Sequence, residues 1–311
     1  MNVVSRQPAV AGVTAVETVM PQRTRPRPFA VVLRSLRRDR AAVLGLILVG
    51  IWLAMATVGP FVVRSDPNDQ VLRDALLPPV WEAEGVAAHP FGTDHLGRDI
   101  FVRIVHGART SLIIGLSAVG LAIVVGSLAG VIAAQWGGTV DEIIMRLADI
   151  QLAIPFILLA IAVLALLGGS LLNMVMVLIL AGWVVYARVV RSEVLHLREM
   201  EFALAARTIG ASQMRIAILH LLPNVTGLVI VIGTLELANV IILEAALSFL
   251  GVGVRPPQVS WGAMLADGRD YLTEAWWIAT MPGATISLTI LGVNLVGDWV
   301  RDILDPRRRK D

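Results

Sequence analysis

Residues 150–187 read IQLAIPFILLAIAVLALLGGSLLNMVMVLILAGWVVYA, and none of these 38 side chains carries a charge. A helix rises about 1.5 Å per residue, so about 20 apolar residues cross the hydrocarbon core of a bilayer. The stretch is nearly twice that long, and Gly168-Gly169-Ser170 interrupts it near the middle. Because these residues favour a turn, the stretch predicts two membrane-spanning helices with a very short connection.

Four further apolar runs lie outside this stretch, at residues 41–63, 110–140, 216–254 and 275–297. Each is long enough for one span, so we predict an all-α integral membrane protein with six transmembrane helices. The predicted organisation is a tail over 1–40, a first transmembrane helix over 41–63, an external loop over 64–109 and a five-helix core over 110–311.

The composition excludes several classes of function. Hydrophobic residues make up 56% of the chain and charged residues 16%, against roughly 45–50% and about 25% in soluble proteins. Cysteine is absent, and Lys310 is the only lysine, so neither a thiolate metal site nor an internal P-loop lysine exists. His89 and His95 lie near two aspartates, but their spacing favours a structural loop over a metal site. We predict no catalytic residue, no metal site and no cofactor.

The basic residues indicate the orientation. Nineteen lie in 1–40, 141–149, 188–215 and 298–311, and seven lie in 64–109 and 255–274. Since lysine and arginine accumulate in cytoplasmic connections, we expect both termini in the cytoplasm and 1–40 to be a cytoplasmic tail. The arginines flank apolar runs, so the lipid bilayer rather than a nucleic acid explains the formal net charge of +2.

The cytoplasmic connection at about 197–223 predicts two short amphipathic helices. Gly210 interrupts the helical pattern, and Ser212 can cap the second helix. On composition alone, the pair could lie on anionic lipid. The apolar stripes are Phe202, Ala205, Ala206 and Ile209 in the first helix, and Met214, Ala217, Ile218 and Leu221 in the second.

The predicted fifth span contains three notable polar residues, Glu236, Asn239 and Glu244. Eight residues are close to two helical turns, so the two carboxylates lie on one side of the helix. A carboxylate at mid-bilayer costs about 2.5–3.5 kcal/mol on insertion scales and should face protein or water. These groups therefore either bond to a neighbouring helix or line a path for a solute.

Three motifs carry a resemblance to a known family. The spacing of Ala205-Ala206, Gly210 and Leu222-Pro223 resembles the EAA motif of ABC importer permeases, although Leu204 and His220 depart from it. Residues 89–99, HPFGTDHLGRD, and the segment from EAALSFLGVGV at 244–254 to Ser260-Trp261-Gly262 resemble signatures of the dipeptide/oligopeptide permease family. The chain most resembles the C-type, second permease subunit of that family.

The resemblance implies a type I ABC importer permease fold in the bacterial inner membrane. It implies a pore-forming subunit that couples ATP hydrolysis by its partners to uptake of dipeptides or oligopeptides. The implied partners are a second permease in a heterodimer, two cytoplasmic ATPase subunits and an extracytoplasmic substrate-binding protein. The residues implied in ATPase coupling are Ala205, Ala206, Arg207, Gly210, Leu222 and Pro223.

Two alternatives stay open at this point. Permeases for nickel chelates, glutathione or another small solute share the same motifs. A self-sufficient secondary transporter would carry inverted repeats, and none is evident in the sequence.

Overall fold

The computed structural model describes position 36 and residues 39–304. Within this part of the chain the regular structure is helical, with one isolated bridge between Thr93 and Asp99 and no strand. The all-α prediction is therefore confirmed. The predicted tail lies almost entirely outside the described residues. The main helices are α1 (Arg40–Thr57), α2 (Gly59–Val62), α3 (Ile100–Trp136), α4 (Gly138–Ala153), α5 (Phe156–Leu167), α6 (Leu171–Leu197), α7 (Glu201–Thr208), α8 (Gln213–Ile216), α9 (Leu222–Phe249), α10 (Trp261–Asp267) and α11 (Trp277–Leu304).

The spanning helices agree with the predicted number. Five helical segments of the described chain are long and apolar enough to cross a membrane: α1, α3, α6, α8 joined to α9, and α11. The pair α4 and α5 passes the same test together and gives a sixth candidate span when the two helices are counted as one. The break between the third and fourth spans falls at residues 168–170, as predicted, and the Ser170 side chain caps α6 by accepting a hydrogen bond from the Asn173 N–H.

The third span is not straight, which the sequence analysis missed. Helices α4 and α5 meet at an angle of 89°. Ile154 is extended, with φ −94° and ψ 126°, because a residue before proline is driven out of the helical region. Pro155 also lacks an N–H for the helical ladder. The bend therefore follows from Pro155, inside the first stretch quoted above.

Helix α3 begins ten residues before the charge-free run that predicted it. The Asp99 side chain caps it by accepting a hydrogen bond from the Val102 N–H. The first turns of α3 therefore contain Arg103, which is buried in an ion-pair cluster. The connection from the first span ends at Asp99 rather than at residue 109.

The second predicted amphipathic helix is not a separate element. After α8, a π turn at Ala217–Leu221 leads directly into α9, giving a continuous helical segment of 37 residues. Ala217 and Leu221 of the predicted stripe are buried, whereas Met214 and Ile218 are about half exposed. The π turn changes the angular step per residue, so a stripe drawn at α-helical spacing does not match the buried side.

The centre of the subunit is a close contact between α3 and α6. A Cβ atom added at Gly126 would lie 2.3 Å from the Trp183 carbonyl oxygen, and one at Gly130 would lie 2.5 Å from the Ala187 carbonyl oxygen. Small residues at this spacing allow helix backbones to approach closely in a bilayer. Helix α9 packs on both α3 and α6, and α1 packs against α11.

Candidate functional site

Helix α7, in the connection predicted to couple to an ATPase, is seated on its own subunit by two small side chains. Ala203 is fully buried and Ala206 is 7% exposed. Both belong to a hydrophobic cluster that includes Ile216 and Leu221. Alanines at positions i and i+3 share one face of a helix and allow close approach. Ala203 is not among the residues predicted from the sequence, although its spacing of three residues from Ala206 indicates a shared buried face.

The other side of α7 is uncovered. Phe202 is 40% exposed, Leu204 is 46% exposed and Ile209, just after the helix, is 85% exposed. Ala205 and Arg207 are exposed as well. Of the predicted stripe, only Ala206 is buried, so the stripe lies mainly on the outer side. An apolar surface of this kind is typical of a site that another protein or a membrane surface covers.

Gly210 ends this short helix in a left-handed conformation, with φ +83°. A side chain would find free space there, so the backbone conformation is what favours glycine. Ser212 then caps α8 by accepting a hydrogen bond from the Arg215 N–H. Leu222 and Pro223 stand at the start of α9 with exposed side chains. All six residues predicted for coupling are thus in or beside one exposed connection.

Glu236 and Asn239 lie together on α9. The Asn239 side-chain amide donates a hydrogen bond of 3.3 Å to Glu236 Oε1. Asn239 is exposed and Glu236 is partly buried. The Tyr186 hydroxyl on α6 lies within electrostatic range of Glu236. This polar group inside a span faces the outside of the isolated subunit, where it needs water or another protein.

Glu244 has different surroundings. It is 2% exposed and accepts a hydrogen bond of 2.8 Å from the Ser248 hydroxyl, and the Ser260 side chain, from the segment after α9, lies near it. Ser260 in turn caps α10 by accepting a hydrogen bond from the Ala263 N–H. The structure therefore does not bring Glu244 together with Glu236 on one open surface. Its partners connect α9 to the segment that folds back after it.

A buried ion-pair cluster holds the connections at the predicted external end together. Asp94 accepts hydrogen bonds from Arg98, at 2.6 Å, and from Arg103. Asp267, from α10, accepts from the same two arginines at 2.9 and 3.2 Å. Burial alone disfavours the charged form of Asp94. The charges of Arg103 and Arg98 and the backbone N–H groups of Arg98 and Leu96 outweigh it and hold the pKa of Asp94 below its ordinary value.

The two histidines of this region contact single partners. His89 Nδ1 lies 2.7 Å from Asp99 Oδ2, and the His95 ring stacks on Tyr271 with 5.1 Å between ring centroids. No group of three metal-ligating side chains occurs in the described part of the chain.

A second set of charges joins α4 to α6, which the sequence analysis did not foresee. Asp141 accepts two hydrogen bonds from Arg191, and Asp149 accepts one from Arg188. Nearby on the same two helices, the Trp183 indole N–H of α6 donates a hydrogen bond to the Gln151 side-chain oxygen of α4. The partners are 32 to 50 residues apart in sequence. No local spacing signals them.

These observations define a class of protein: a multi-pass membrane protein with polar groups inside its spans and an exposed, partly apolar connection between two of them. The chain belongs to the family of binding-protein-dependent transport system inner membrane components, whose sequence profile matches residues 122–310. The profile of the N-terminal transmembrane domain of oligopeptide transport permease C matches residues 27–79.

Relatives with assigned names cover nearly the whole chain. The di/tripeptide transport system permease protein of Pseudomonas aeruginosa is 40% identical over 91% of this chain and 93% of its own length. The oligopeptide transport system permease protein of Bacillus subtilis is 40% identical over 88% of each chain. The probable D,D-dipeptide transport system permease protein of Escherichia coli is 38% identical over 93% of this chain and 95% of its own length.

The family settles the general function. The chain is a transport permease of the bacterial inner membrane and not an enzyme. Permeases of this kind act together with a second permease, with ATPase subunits and with a substrate-binding protein.

Proposed function

We propose that this permease imports dipeptides or oligopeptides. It forms half of the pore, beside a second, non-identical permease subunit. Two cytoplasmic ATPase subunits and an extracytoplasmic substrate-binding protein complete the complex. The names of the relatives support a peptide over a nickel chelate or glutathione, since the three described above are named for di/tripeptides, oligopeptides and D,D-dipeptides.

The exposed helix α7 is the observation that carries the ATP-driven mechanism. Its inner side is fixed by Ala203 and Ala206, and its outer side presents exposed apolar residues together with Arg207. An ATPase that covers this outer side pushes on a helix that is already packed against the spans. The turn at Gly210 then passes the displacement to α8 and α9, which form one continuous helical segment.

The solute path runs past Glu236 and Asn239. The carboxylate of Glu236 offers a partner to the free amino group of a peptide, and Asn239 offers both a donor and an acceptor. Glu244 has a supporting role, because it bonds to Ser248 where the segment that carries Ser260 and Gly262 packs closely against α9.

The test is substrate-stimulated ATP hydrolysis by the complete complex in lipid vesicles, with its binding protein loaded with Ala-Ala. Ile209→Glu places a charge on the apolar outer side near α7, and Gly210→Pro cannot adopt the left-handed conformation. We expect both variants to assemble and to lose stimulated hydrolysis. Gln70→Glu adds the same charge at an exposed position of the other connection and should keep it. Normal stimulated hydrolysis in both coupling variants would contradict the proposed role of α7.

A further inference from the structure

The two ion pairs between α4 and α6 differ in how they are enclosed. Asp141 and Arg191 share two hydrogen bonds, and their side chains are 21% and 32% exposed. Asp149 and Arg188 share one bond, and their side chains are 56% and 46% exposed. The first pair therefore fastens the two helices together, whereas the second leaves hydrogen-bonding capacity on both partners.

Arg188, of the more exposed pair, lies within α6 rather than at its end. Helix α6 has 27 residues, which makes it about 40 Å long against a hydrocarbon core of about 30 Å. Arg188 lies about 26 Å from the Leu171 end by the same rise per residue. A helix of this length centred in the bilayer would hold such a position several ångströms inside the hydrocarbon core. Charged side chains at such a depth face water or protein.

A charged groove runs from Asp149 along α4. Its volume is about 280 Å³, and it is lined by Asp141, Glu142, Met145, Arg146, Asp149 and Arg191. A different side of the same helix presents Ile143, Leu147 and Ile150, which are each more than half exposed. Helix α4 therefore has one side suited to lipid or to a protein partner and another suited to water.

We propose that Asp149 and Arg188 form a second station of the solute path, which binds the two ends of a zwitterionic solute. This inference rests on the proposed import of peptides. The ammonium group of the solute binds Asp149, and its carboxylate binds the planar guanidinium of Arg188. When the solute enters, each charge exchanges one opposite partner for another, so no charge is left unpaired. The groove along α4 then leads the solute away from this pair.

Accessibility of the face of α6 that carries Arg188 is the first test. The native chain contains no cysteine, so a single cysteine reports one position. Val185, three residues before Arg188, is 37% exposed, and Val124 on α3 is 52% exposed in an apolar stripe with Leu121 and Leu128. In inside-out vesicles with the complete complex, a membrane-impermeant thiol reagent should label Val185→Cys and not Val124→Cys. If both positions are unreactive, this face is covered by lipid or by the second permease, and the proposal fails.

Transport is the second test. Asp149→Asn combined with Arg188→Gln removes both charges without leaving one alone. We expect uptake of Ala-Ala to fall by about tenfold or more, the effect of losing a charge-assisted hydrogen bond. Arg269→Gln with Asp270→Asn makes the same change in an exposed pair and should leave uptake unchanged.

Normal uptake by the Asp149/Arg188 variant would overturn the proposal. If that variant does not assemble, labelling of Val185→Cys, which keeps both charges, decides the question. Failure of the native complex to take up Ala-Ala would instead contradict the proposed peptide function, and the labelling experiment would still show whether the face of α6 beside Arg188 is accessible to water.

Discussion

At the scale of single residues, the charge of Asp94 contributes to the stability of the folded protein. This residue is 1% exposed and lies between Arg98 and Arg103. Removing one partner of a buried ion pair leaves the other charge uncompensated, which typically costs about 3–5 kcal/mol. We expect Asp94→Asn to lower the midpoint of thermal unfolding in detergent strongly. Asp270→Asn, which affects an exposed pair, should change the midpoint little, and equal midpoints for the two variants would argue against a structural role for the cluster.

The same carboxyl predicts a pH dependence of stability. The pKa of Asp94 is lower in the folded protein than in the unfolded chain, so its contribution is present above the ordinary carboxyl pKa of about 4. This contribution is lost as the pH falls through the folded pKa. The unfolding midpoint of the native protein should therefore drop below about pH 4. Asp94→Asn should start lower and show a smaller drop over that range.

Glu236 allows a test of the solute path in which a carboxylate is replaced by an amide of the same shape. Glu236→Gln keeps the size and the bond to Asn239 but removes the charge. If the carboxylate binds the amino group of the solute, uptake should fall for Ala-Ala and stay unchanged for N-acetyl-Ala-Ala. Equal losses for the two peptides, with assembly checked by co-purification, would place Glu236 in a structural contact instead.

At the scale of elements, the apolar runs predicted the number of spans because each run has the length that a bilayer requires. They predicted boundaries less well where charges are paired. Arg109 bounds the apolar run at 110–140 in the sequence, yet α3 begins at Ile100. Its first turns include Arg103, whose charge is neutralised by Asp94 and Asp267. The sequence predicts a connection at 141–149, yet these residues form most of α4, whose aspartates pair with arginines of α6. A rule that counts charges one at a time cannot find partners far away in the sequence.

The candidate site was predicted to a similar extent. The turn at Gly210 and the cap at Ser212 are local features, and the spacing of the residues revealed both. The buried side of α7 was predicted only at Ala206, because a short helix offers several possible stripes and its packing on Ile216 and Leu221 selects one. The enclosure of Glu244 was not predicted, since it depends on Ser260 in a segment that folds back.

The contact between α3 and α6 predicts that leucine substitutions at different glycines of α3 have very different effects on folding. Gly126→Leu adds a side chain at a position where the Cβ atom alone would lie 2.3 Å from the Trp183 carbonyl oxygen. The helices must separate, so we expect loss of folded subunit in a fluorescence-detected size-exclusion assay. Gly120→Leu is the matched control, because no atom lies within 4 Å of its added Cβ. Similar yields of the two variants would contradict the packing of α3 on α6.

At the scale of the whole molecule, the distribution of basic residues predicts which ends of the spans face the cytoplasm. Gln70 and Gln213 lie on opposite sides of the membrane in this prediction, and both are exposed. In cells whose outer membrane has been made permeable and whose inner membrane is intact, a thiol reagent that cannot cross the inner membrane should label Gln70→Cys and leave Gln213→Cys unlabelled. Labelling of Gln213→Cys from outside would reverse the predicted orientation.

The unbroken run from Gln213 to Phe249 gives the subunit a mechanical property. A helical rod of 37 residues is about 55 Å long, so a tilt of about 5° at one end moves the other by about 5 Å. A tilt at the end near the proposed ATPase contact therefore also moves the far end, where α9 packs against the segment that carries Ser260 and Gly262. A tilt of a few degrees that begins at one surface of the membrane thus produces a displacement of several ångströms at the other, while the helix itself stays unchanged.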